Sequence, residues 1–420
     1  MRRLAQPSPL WIPLMAVVVV GALVFWAYPQ DLPGWRSAGI ATGWVGCGLL
    51  LVSLLLMVRE PWLARWLGGL ERMYRWHHGL GVWAYLVLLL HPLALAASAW
   101  SESPARAWAT LSPWQQGWPV WSGWVSLLSM MAGLLIALWP RLPYAAWRTL
   151  HHLLSLSVIV GAAHLVLLGL HGVLLAVPVW VVALLLWRVA RADQGLGAQP
   201  HVVRDVERLS PAAVEVTLRP LARPLGALPG QFVLAAFLDG PGFRGCGEYH
   251  PYTVSAIGAD GSMALGIKAL GDCTRQLQRV PPGCEVRVQG PFGQFFAAGA
   301  AGPSLWVAGG IGITPFVAAL RNGPLTHPVR LLYLHRDHAG APYADELRAL
   351  ATAQARLQLQ TVDTGDAAPD LGPLLPDAAE LRGLHCYLCG PAGLLDAAVP
   401  LLQQRGVPAS HIHFERFDFR

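Results

Sequence analysis

Charged residues are scarce in this chain, and acidic residues are scarcest in its first half. Only 13% of the 420 residues are charged and 54% are hydrophobic, and residues 1–190 hold four acidic residues beside eleven arginines. Uncharged runs cover residues 4–30, 37–58, 76–101, 107–140 and 149–187. A helix needs about 20 apolar residues to cross a bilayer. The lack of charge over such lengths therefore excludes a wholly soluble protein.

The apolar runs predict six membrane spans. The last run contains 39 residues, enough for two short helices with a turn at His171-Gly172. The spans are predicted near residues 11–28, 38–58, 74–97, 118–139, 149–169 and 173–190. The first span lacks a clear small-residue cleavage site, so we interpret it as an uncleaved anchor rather than a signal peptide.

Arginines are distributed unevenly between the two sides of these spans. Ten fall on the side that holds both termini, namely Arg2, Arg3, Arg59, Arg65, Arg72, Arg75, Arg141, Arg148, Arg188 and Arg191. Only Arg36 and Arg106 lie on the other side. The positive-inside rule then predicts a multi-pass protein of the inner (plasma) membrane with both termini in the cytoplasm. The basic excess lies in the hydrophobic half, which argues against nucleic acid as a partner.

Cysteine is also sparse, with six residues in the chain. Cys47 lies in a predicted span and the other five lie in the cytoplasmic half, where disulfides are rare and are not expected. Cys386 and Cys389 form a C-x-x-C pattern without the second pair that a zinc site needs. This segment is therefore predicted to be a strand that runs into a turn.

Two predicted spans carry histidines at matching depths. His77 and His91 are 14 residues apart on the third span, and His151 and His164 are 13 apart on the fifth. Two helices that run in the same direction would form two histidine pairs, each able to supply both axial ligands of a b-type haem. Thirteen residues do not return to the same helix face, so the fifth helix is expected to be bent, tilted or locally rewound. Polar contacts between helices are the alternative.

The second half predicts two further domains after a polar linker at residues 191–200. Short segments separated by proline and glycine, such as "AAVEVTLRP", "GQFVLAAFL", "PYTVSAI", "MALGIKAL" and "CEVRVQG", predict an antiparallel β-barrel over residues 201–300. Alternating strand and helix patterns predict an α/β domain with a parallel sheet over residues 301–420. The expected fold is thus a multi-domain membrane protein whose residues 1–190 form a six-helix transmembrane bundle.

A glycine turn follows the first strand of the predicted α/β domain in "VAGGIGITPF". Gly309, Gly310 and Gly312 would let backbone N–H groups approach a pyrophosphate at a helix start, which Thr314 would cap and Pro315 would begin. The pattern lacks the third glycine of a G-x-G-x-x-G fingerprint, so a purely structural turn is the alternative.

Both halves resemble known families. "HHGLGVWAYLVLLLHP" and the His-His-x11-His pattern of the fifth span are similar to the ferric-reductase transmembrane domain of NADPH oxidases and ferric-chelate reductases. "HPYTVS", "KALGDCT", "GPFG", "AGGIGITPF", "YLCGP" and "FERF" occur in the order seen in ferredoxin–NADP reductases. The first resemblance implies metal ligation by His77 with His151 at an inner haem and by His91 with His164 at an outer haem.

The second resemblance implies a set of cofactor-binding and catalytic residues. The predicted FAD-binding residues are His250, Pro251, Tyr252, Thr253, Lys268, Gly271, Asp272 and Thr274. The predicted pyridine-nucleotide site comprises Gly309, Gly310, Gly312, Thr314, Pro315, Arg336, Cys389, Gly390, Pro391, Glu415 and Phe417.

Within this set, the predicted catalytic residues are Thr253 near flavin N5, Cys389 and Glu415 beside the nicotinamide, and Phe417 covering the flavin. Tyr252 would lie against the isoalloxazine. Arg336, after the second strand, would suit the 2′-phosphate of NADPH. A core tyrosine, a buried strand cysteine, a C-terminal apolar plug and a solvated arginine are the structural alternatives.

The resemblance implies that NADPH reduces FAD and that two haems carry electrons to an acceptor outside. Molecular oxygen, giving superoxide, is the preferred acceptor. A ferric chelate or a periplasmic redox partner is the alternative, because the oxidases have a histidine where this chain has Leu95. A histidine-relay proton channel or transporter is the hypothesis from another class. No regulatory subunit is predicted.

Overall fold

The computed structural model describes residues 10–28, 31–32, 34–137, 139, 142, 144–296 and 302–415. Two compact units make up the chain. The first comprises Met1–Arg59, Trp66–Gly68 and Arg72–Leu196, and the second comprises Glu60–Arg65, Gly69–Glu71 and Gly197–Arg420. The division after Leu196 falls inside the segment predicted to be a linker. The described residues do not include Phe417, three arginines of the charge count (Arg2, Arg3 and Arg141), or residues 297–301, where the predicted boundary between barrel and α/β domain lies.

Helices fill the chain up to residue 193. They are α1 (Trp11–Ala27), α2 (Gly34–Leu55), α3 (Pro61–Trp66), α4 (Leu70–Trp100), α5 (Pro104–Leu111), α6 (Trp118–Ala137), α7 (Tyr144–Leu167) and α8 (Ala176–Trp187). A 3₁₀ turn precedes α8 and a π-helical turn continues it to Asp193. Five stretches are long and apolar enough to cross a membrane, and α1 is a shorter apolar helix. Each predicted span therefore coincides with an apolar helix.

Glycines let the membrane helices approach one another closely. A Cβ on Gly46 of α2 would lie 2.4 Å from Leu88 of α4, and one on Gly133 of α6 would lie 2.3 Å from Leu154 of α7. Both distances are below van der Waals contact, so any side chain at these positions would force the facing leucine to move. Small residues at helix contacts are typical of membrane bundles, where close backbone approach provides the packing energy.

The two histidine-bearing helices are longer and more regular than predicted. α4 begins at Leu70 and ends at Trp100, with Pro92 inside it. Neighbouring helices in a bundle can satisfy the backbone groups that such a proline frees. α7 is α-helical from Tyr144 to Leu167, so the local rewinding considered for the fifth span does not occur.

The second unit begins with a closed antiparallel barrel. Its strands are β1 (Gln199–Ser210), β2 (Ala213–Pro220), β3 (Phe232–Phe237), β4 (His250–Ile257), β5 (Met263–Lys268) and β6 (Glu285–Phe292), in the order β1-β2-β5-β4-β3-β6. α9 (Asp272–Leu277) lies between β5 and β6. The sequence predicted all these strands except β1, which pairs with β2 and β6 and so closes the barrel.

A five-stranded parallel sheet follows the barrel. Its strands are β7 (Ser304–Gly309), β8 (Val329–His335), β9 (Leu357–Asp363), β10 (His385–Cys389) and β11 (Ile412–Glu415), in the order β11-β10-β7-β8-β9. The accompanying helices are α10 (Thr314–Arg321), α11 (Ala344–Ala353) and α12 (Ala392–Gln404). The strand order reverses between β7 and β10. Ligands of open α/β sheets bind at the carboxyl end of such a reversal.

A buried polar network joins the barrel to the parallel sheet. Glu215 of β2 accepts hydrogen bonds from Ser255 Oγ (2.5 Å), Arg321 Nη1 (2.9 Å) and Tyr343 Oη (2.7 Å). Arg321 also donates to both carboxylate oxygens of Glu346 at 2.6 and 2.7 Å. Burial works to lower the pKa of Arg321, but its bonds to Glu346 and Glu215 raise that pKa overall. The guanidinium therefore stays charged and holds the two domains of this unit together.

Candidate functional site

Three of the four predicted haem ligands hydrogen-bond to the backbone of a neighbouring helix. The Nδ1 atoms of His77, His91 and His164 lie 3.0 Å from the Ser53 carbonyl, 2.7 Å from the Gly39 carbonyl and 2.6 Å from the Pro119 carbonyl. A carbonyl oxygen only accepts, so Nδ1 of His91 and of His164 must carry the proton. Nδ1 of His77 also lies 2.8 Å from the Ser53 hydroxyl, which can donate or accept. In a neutral ring protonated at Nδ1, Nε2 keeps its lone pair, the state in which an imidazole ligates a metal.

The inner two histidines lie close together across α4 and α7. The ring centroids of His77 and His151 are 6.1 Å apart with an interplanar angle of 80°. Two imidazoles that share one metal have centroids about 6 Å apart, because each nitrogen–metal bond is about 2 Å. His151 also stacks on Trp147 at 4.9 Å. The inner pair therefore fits a bis-histidine haem.

Each of the two outer histidines faces a glycine of the neighbouring helix whose backbone carbonyl it bonds. A Cβ on Gly43 would lie 3.0 Å from Nδ1 of His91, and one on Gly123 would lie 2.9 Å from Cε1 of His164. Any larger residue would displace the rings. Leu95, one turn beyond His91, lies against Gly39, where a Cβ would come within 2.8 Å of it.

Glycines also shape the carboxyl ends of β7 and β10. A Cβ on Gly312 would lie 2.4 Å from the Cys389 carbonyl, and one on Gly309 would lie 2.9 Å from Pro391. The predicted turn is therefore pressed against the Cys389-Gly390-Pro391 segment at the strand reversal. Gly310 has a φ of +55°, which glycine adopts without strain, and Lys268 Nζ lies 3.7 Å from a Cβ placed there.

Thr314 does not cap the helix that it was predicted to cap. A 3₁₀ turn over Gly310–Ile313 precedes α10, so Ile313 occupies the cap position and Thr314 is the first helical residue. The buried hydroxyl of Thr314 donates to the Ile311 carbonyl at 2.6 Å. Pro315, predicted to be the first helical residue, is the second, still within the first turn.

The predicted flavin and nicotinamide residues are connected through neighbouring strands. Thr253 of β4 pairs with Phe232 of β3. Phe232 and the Glu415 carboxylate both approach Gly293, where a Cβ would lie 3.2 Å from the ring and 2.7 Å from Oε1. Glu415 in turn pairs with Cys389 across β11 and β10. All three predicted catalytic residues that the structure describes therefore lie along one edge of the unit.

The environment of Glu415 keeps its carboxyl group neutral at physiological pH. Burial raises the pKa of Glu415 to about 8, although the Gln294 backbone N–H, at 3.3 Å, works in the opposite direction. Burial, and then the charge of Glu415, raises the pKa of the Cys389 thiol. Both groups are thus mainly protonated at pH 7, so this pair of strand neighbours carries little charge.

The predicted FAD-binding residues converge from β4 and α9. A ring nitrogen of His250 and the sulfurs of Cys246 and Cys273 lie within 4.8 Å of one another, which brings the "HPYT" strand to the segment Gly271–Thr274. Thr274 Oγ1 accepts hydrogen bonds from the Leu270 and Gly271 N–H groups, both at 2.9 Å. Asp272 is exposed and accepts from Arg275.

Tyr252 and Arg336 are placed differently from the other members of the predicted set. Tyr252 is 5% exposed and packs edge-on against Phe237 in the barrel core, as in the core-tyrosine alternative, so its place against the isoalloxazine stays a prediction. Arg336 follows β8 and is exposed, with Nε 3.0 Å from Asp366 Oδ1. Pro251 of β4 is half-buried and pairs with Leu234 of β3.

One pair of cysteines differs from the prediction for the cytoplasmic half. Cys246 and Cys273 form a disulfide in the half where none was expected. Cys386 and Cys389 are free, buried thiols of β10, which confirms the predicted strand and turn.

Sequence reasoning did not identify several residues that complete these sites. Gly43 and Gly123 face the outer histidines, and Gly293 and Phe232 join Thr253 to Glu415. The spacing of Gly39 and Gly43 on one helix face was an available signal for close approach. Gly293 belongs to the recognised "GPFG" motif, but its contact with Glu415 spans more than 100 residues and has no local signature.

Comparisons with known proteins cover both units. Residues 42–162 match the ferric reductase-like transmembrane component family. Ferredoxin–NADP reductase B of Sorangium cellulosum (strain So ce56) is 33% identical over 171 residues, which cover 35% of this chain and 68% of that protein. The ferredoxin–NAD(P)(+) reductase component of the naphthalene 1,2-dioxygenase/salicylate 5-hydroxylase systems of Ralstonia sp is 28% identical over 214 residues, or 47% of this chain and 62% of that protein.

Solved structures are also similar to this chain, as the following one illustrates. The FAD/NAD-binding domain of nitric oxide dioxygenase from Vibrio cholerae O1 biovar El Tor is 22% identical with a TM-score of 0.44, covering 52% of this chain and 97% of that one. Of the two curated relatives described above, the chain covers 62% and 68% of the length.

Fold, site and sequence matches define a class, that of multi-pass membrane oxidoreductases of the flavoprotein electron-transport type. Within that class, the chain belongs to the ferredoxin–NADP reductase family through its second unit, and its residues 42–162 are similar to the ferric reductase-like transmembrane component family.

Proposed function

We propose that the protein passes electrons from cytoplasmic NADPH, through FAD and two b-type haems, to an acceptor on the outer side of the inner membrane. The observation that carries this proposal is the arrangement of the four histidines on α4 and α7. Three have Nδ1 fixed to a backbone carbonyl, and the inner pair has a centroid separation suited to a shared metal.

When bound, FAD accepts a hydride and the haems carry single electrons, so each cofactor supplies the redox chemistry and the chain supplies position. His77 and His151 would hold the inner haem, and His91 and His164 the outer one. Bis-histidine ligation leaves no open iron position, so the acceptor would be reduced at the haem edge.

The chain's residues would orient the two reacting rings. Thr253, Cys389 and Glu415 are connected through neighbouring strands, and the raised pKa of Glu415 means that its carboxyl group is mainly protonated at pH 7. The family membership of the second unit supports FAD and a pyridine nucleotide. The exposed guanidinium of Arg336 supports NADPH through its fit to a 2′-phosphate.

We name molecular oxygen as the acceptor, giving superoxide. Glycines lie beside the two outer histidines, Gly43 at His91 and Gly123 at His164, and Leu95 packs on Gly39. Arg106, one of two arginines assigned to the outer side, is paired with Glu102. A small apolar molecule needs no cationic docking site, whereas an anionic chelate does. A ferric chelate is the second candidate, favoured by the family match of residues 42–162.

The test uses the purified full-length protein in detergent or nanodiscs. We expect a dithionite-reducible b-type spectrum, about two haems per chain, and NADPH-driven reduction of cytochrome c that superoxide dismutase abolishes. Insensitivity to the dismutase with rapid reduction of a ferric chelate would replace oxygen by the second candidate. A protein without absorbance in the Soret region would refute the haem proposal, and the proton-relay hypothesis would remain.

A further inference from the structure

Cys246 and Cys273 form the only cysteine pair among the described residues, and the pair lies beside the predicted FAD site. Their Cα atoms are 5.6 Å apart, inside the range that a disulfide prefers, and 27 residues separate them in sequence. Cys246 belongs to the loop between β3 and β4, and Cys273 is the second residue of α9. The two segments are therefore close enough for a disulfide to join them.

The bond connects the two segments from which the predicted FAD-binding residues come. Cys246 lies four residues before His250, and Cys273 lies between Asp272 and Thr274. The loop that carries Cys246, "DGPGFRGCGEYH", contains four glycines, and the Gly247 N–H in it donates to the Phe237 carbonyl. A covalent link removes conformational freedom from such a loop more than from a strand.

The pair differs from the other thiols of this half in its exposure. Cys284 and Cys386 are buried, and burial raises the pKa of both thiols, to about 12 for Cys386. A buried, protonated thiol reacts slowly with oxidants. Cys246 and Cys273 are only half-buried, so small oxidants and reductants can reach them.

The proposed compartment also argues against a permanent structural disulfide. The positive-inside rule assigns this half to the cytoplasm, where the glutathione pool reduces accessible disulfides. A cysteine pair at bonding distance in that compartment is in exchange with the pool, and its state follows the redox poise of the cell.

We propose that Cys246 and Cys273 are a reversible oxidation site that controls how firmly FAD is held. In the oxidised state the link fixes the β3–β4 loop to α9, and in the reduced state the loop is released and FAD exchanges faster. Oxidation removes two electrons and two protons from the two thiols, which glutathione disulfide takes up as two glutathione thiols. This inference rests on the proposed FAD site of the same unit.

The experiment measures FAD release from full-length holoprotein, by the rise in flavin fluorescence, after equilibration with glutathione disulfide or with dithiothreitol. We expect release to be roughly tenfold slower in the oxidised protein. Cys246→Ser should release FAD at the reduced wild-type rate under both conditions. Cys284→Ala, which removes a buried thiol of the same barrel, should keep the difference.

A second readout makes the two proposals separable. Alkylation and mass spectrometry report the state of the pair whether or not flavin is present, and should show it blocked after glutathione disulfide and labelled after dithiothreitol. A pair that stays reduced, or equal release rates in both states, would overturn the inference. So would stoichiometric zinc on the reduced protein, which would make Cys246, Cys273 and His250 a metal site. Wild-type protein that binds no FAD while the pair still oxidises would instead count against the proposed function.

Discussion

Two polar sites, one in the membrane unit and one in the reductase unit, differ in the number of hydrogen bonds that they make. In the membrane unit, Nδ1 of His91 and Nδ1 of His164 each bond to a backbone carbonyl. In the reductase unit, Glu215 accepts bonds from three side chains. A polar group in an apolar environment is costly unless it is satisfied. The Glu215 carboxylate is therefore used up by structural contacts, whereas each of the two imidazoles has a second ring nitrogen, the atom that the proposed haem would use.

The largest expected effect separates the two units. We expect His77→Ala or His91→Ala to lower haem content from two to about one per chain and to reduce acceptor reduction on the outer side by at least about 100-fold, because the chain of carriers is broken. NADPH-driven reduction of ferricyanide at the flavin should persist. Haem content by the pyridine haemochrome assay and the two activities measure this.

His78→Ala is the matched control for the histidine variants. His78 is exposed, lies next to His77 on the same helix, and has no place in the ligand scheme. Its variant should retain both haems and both activities. If His78→Ala lost a haem and His77→Ala kept two, the ligand assignment on α4 would be wrong.

The next largest effect concerns the stability of the reductase unit. Glu215→Ala leaves Tyr343 and one side of Arg321 without their buried partner, and we expect a loss of about 3 kcal/mol in the free energy of unfolding. The haem spectrum should not change. Chemical denaturation followed by circular dichroism and by Soret absorbance distinguishes the two units.

Glu380→Ala provides the contrast with an exposed ion pair. Glu380 lies 3.3 Å from Arg330, with about half of each side chain exposed. Such pairs contribute about 0–1 kcal/mol. Equal destabilisation by Glu215→Ala and Glu380→Ala would show that the network does not join the two domains.

A smaller effect depends on pH through Glu415. The folded chain holds the Glu415 proton up to about pH 8, whereas the unfolded chain releases it near the ordinary value of 4.5. The folded state therefore binds more protons between these values, and stability falls as pH rises from about 4.5 to 8. We expect wild type to lose on the order of 1 kcal/mol across this window relative to Glu415→Gln, once solvent screening is allowed for. Thermal unfolding at pH 5.5 and 8 measures the difference, and parallel curves for the two proteins would refute the assignment.

The sequence was most informative where the pattern was local. Uncharged runs predicted all six apolar helices, because hydrocarbon excludes charge along a whole span. Alternation predicted five of six barrel strands and the parallel sheet. β1 was missed because "QPHVVRDVERLS" has charged residues on its outer face and its first residues resemble a linker. Thr314 was misassigned because a 3₁₀ turn lengthens the approach to α10.

Contacts between residues far apart in the chain could not be predicted from a single sequence. Glu215 meets Arg321 and Tyr343 across 106 and 128 positions, and nothing near any of the three signals the others. The Cys246–Cys273 bond is similar, since a loop and a helix start meet only when the barrel closes. Four histidine positions were predicted, but the carbonyl partners of His77, His91 and His164 were not, because every backbone carbonyl in the neighbouring helices has the same chemical identity.

The smallest effect tests how tightly the membrane unit fits its outer histidine. A Cβ on Gly43 would lie 3.0 Å from His91 Nδ1, so in Gly43→Ala the ring must shift by a few tenths of an ångström. We expect a cost of about 1 kcal/mol, or roughly a fivefold loss in affinity for the outer haem, and a change in its low-spin EPR signal. Gly21→Ala in α1, where nothing lies within 4 Å of the new Cβ, should leave the signal unchanged. An unaltered signal in Gly43→Ala would mean that the carbonyl bond alone holds the ring of His91. The steric contact with Gly43 would then play no part in positioning it.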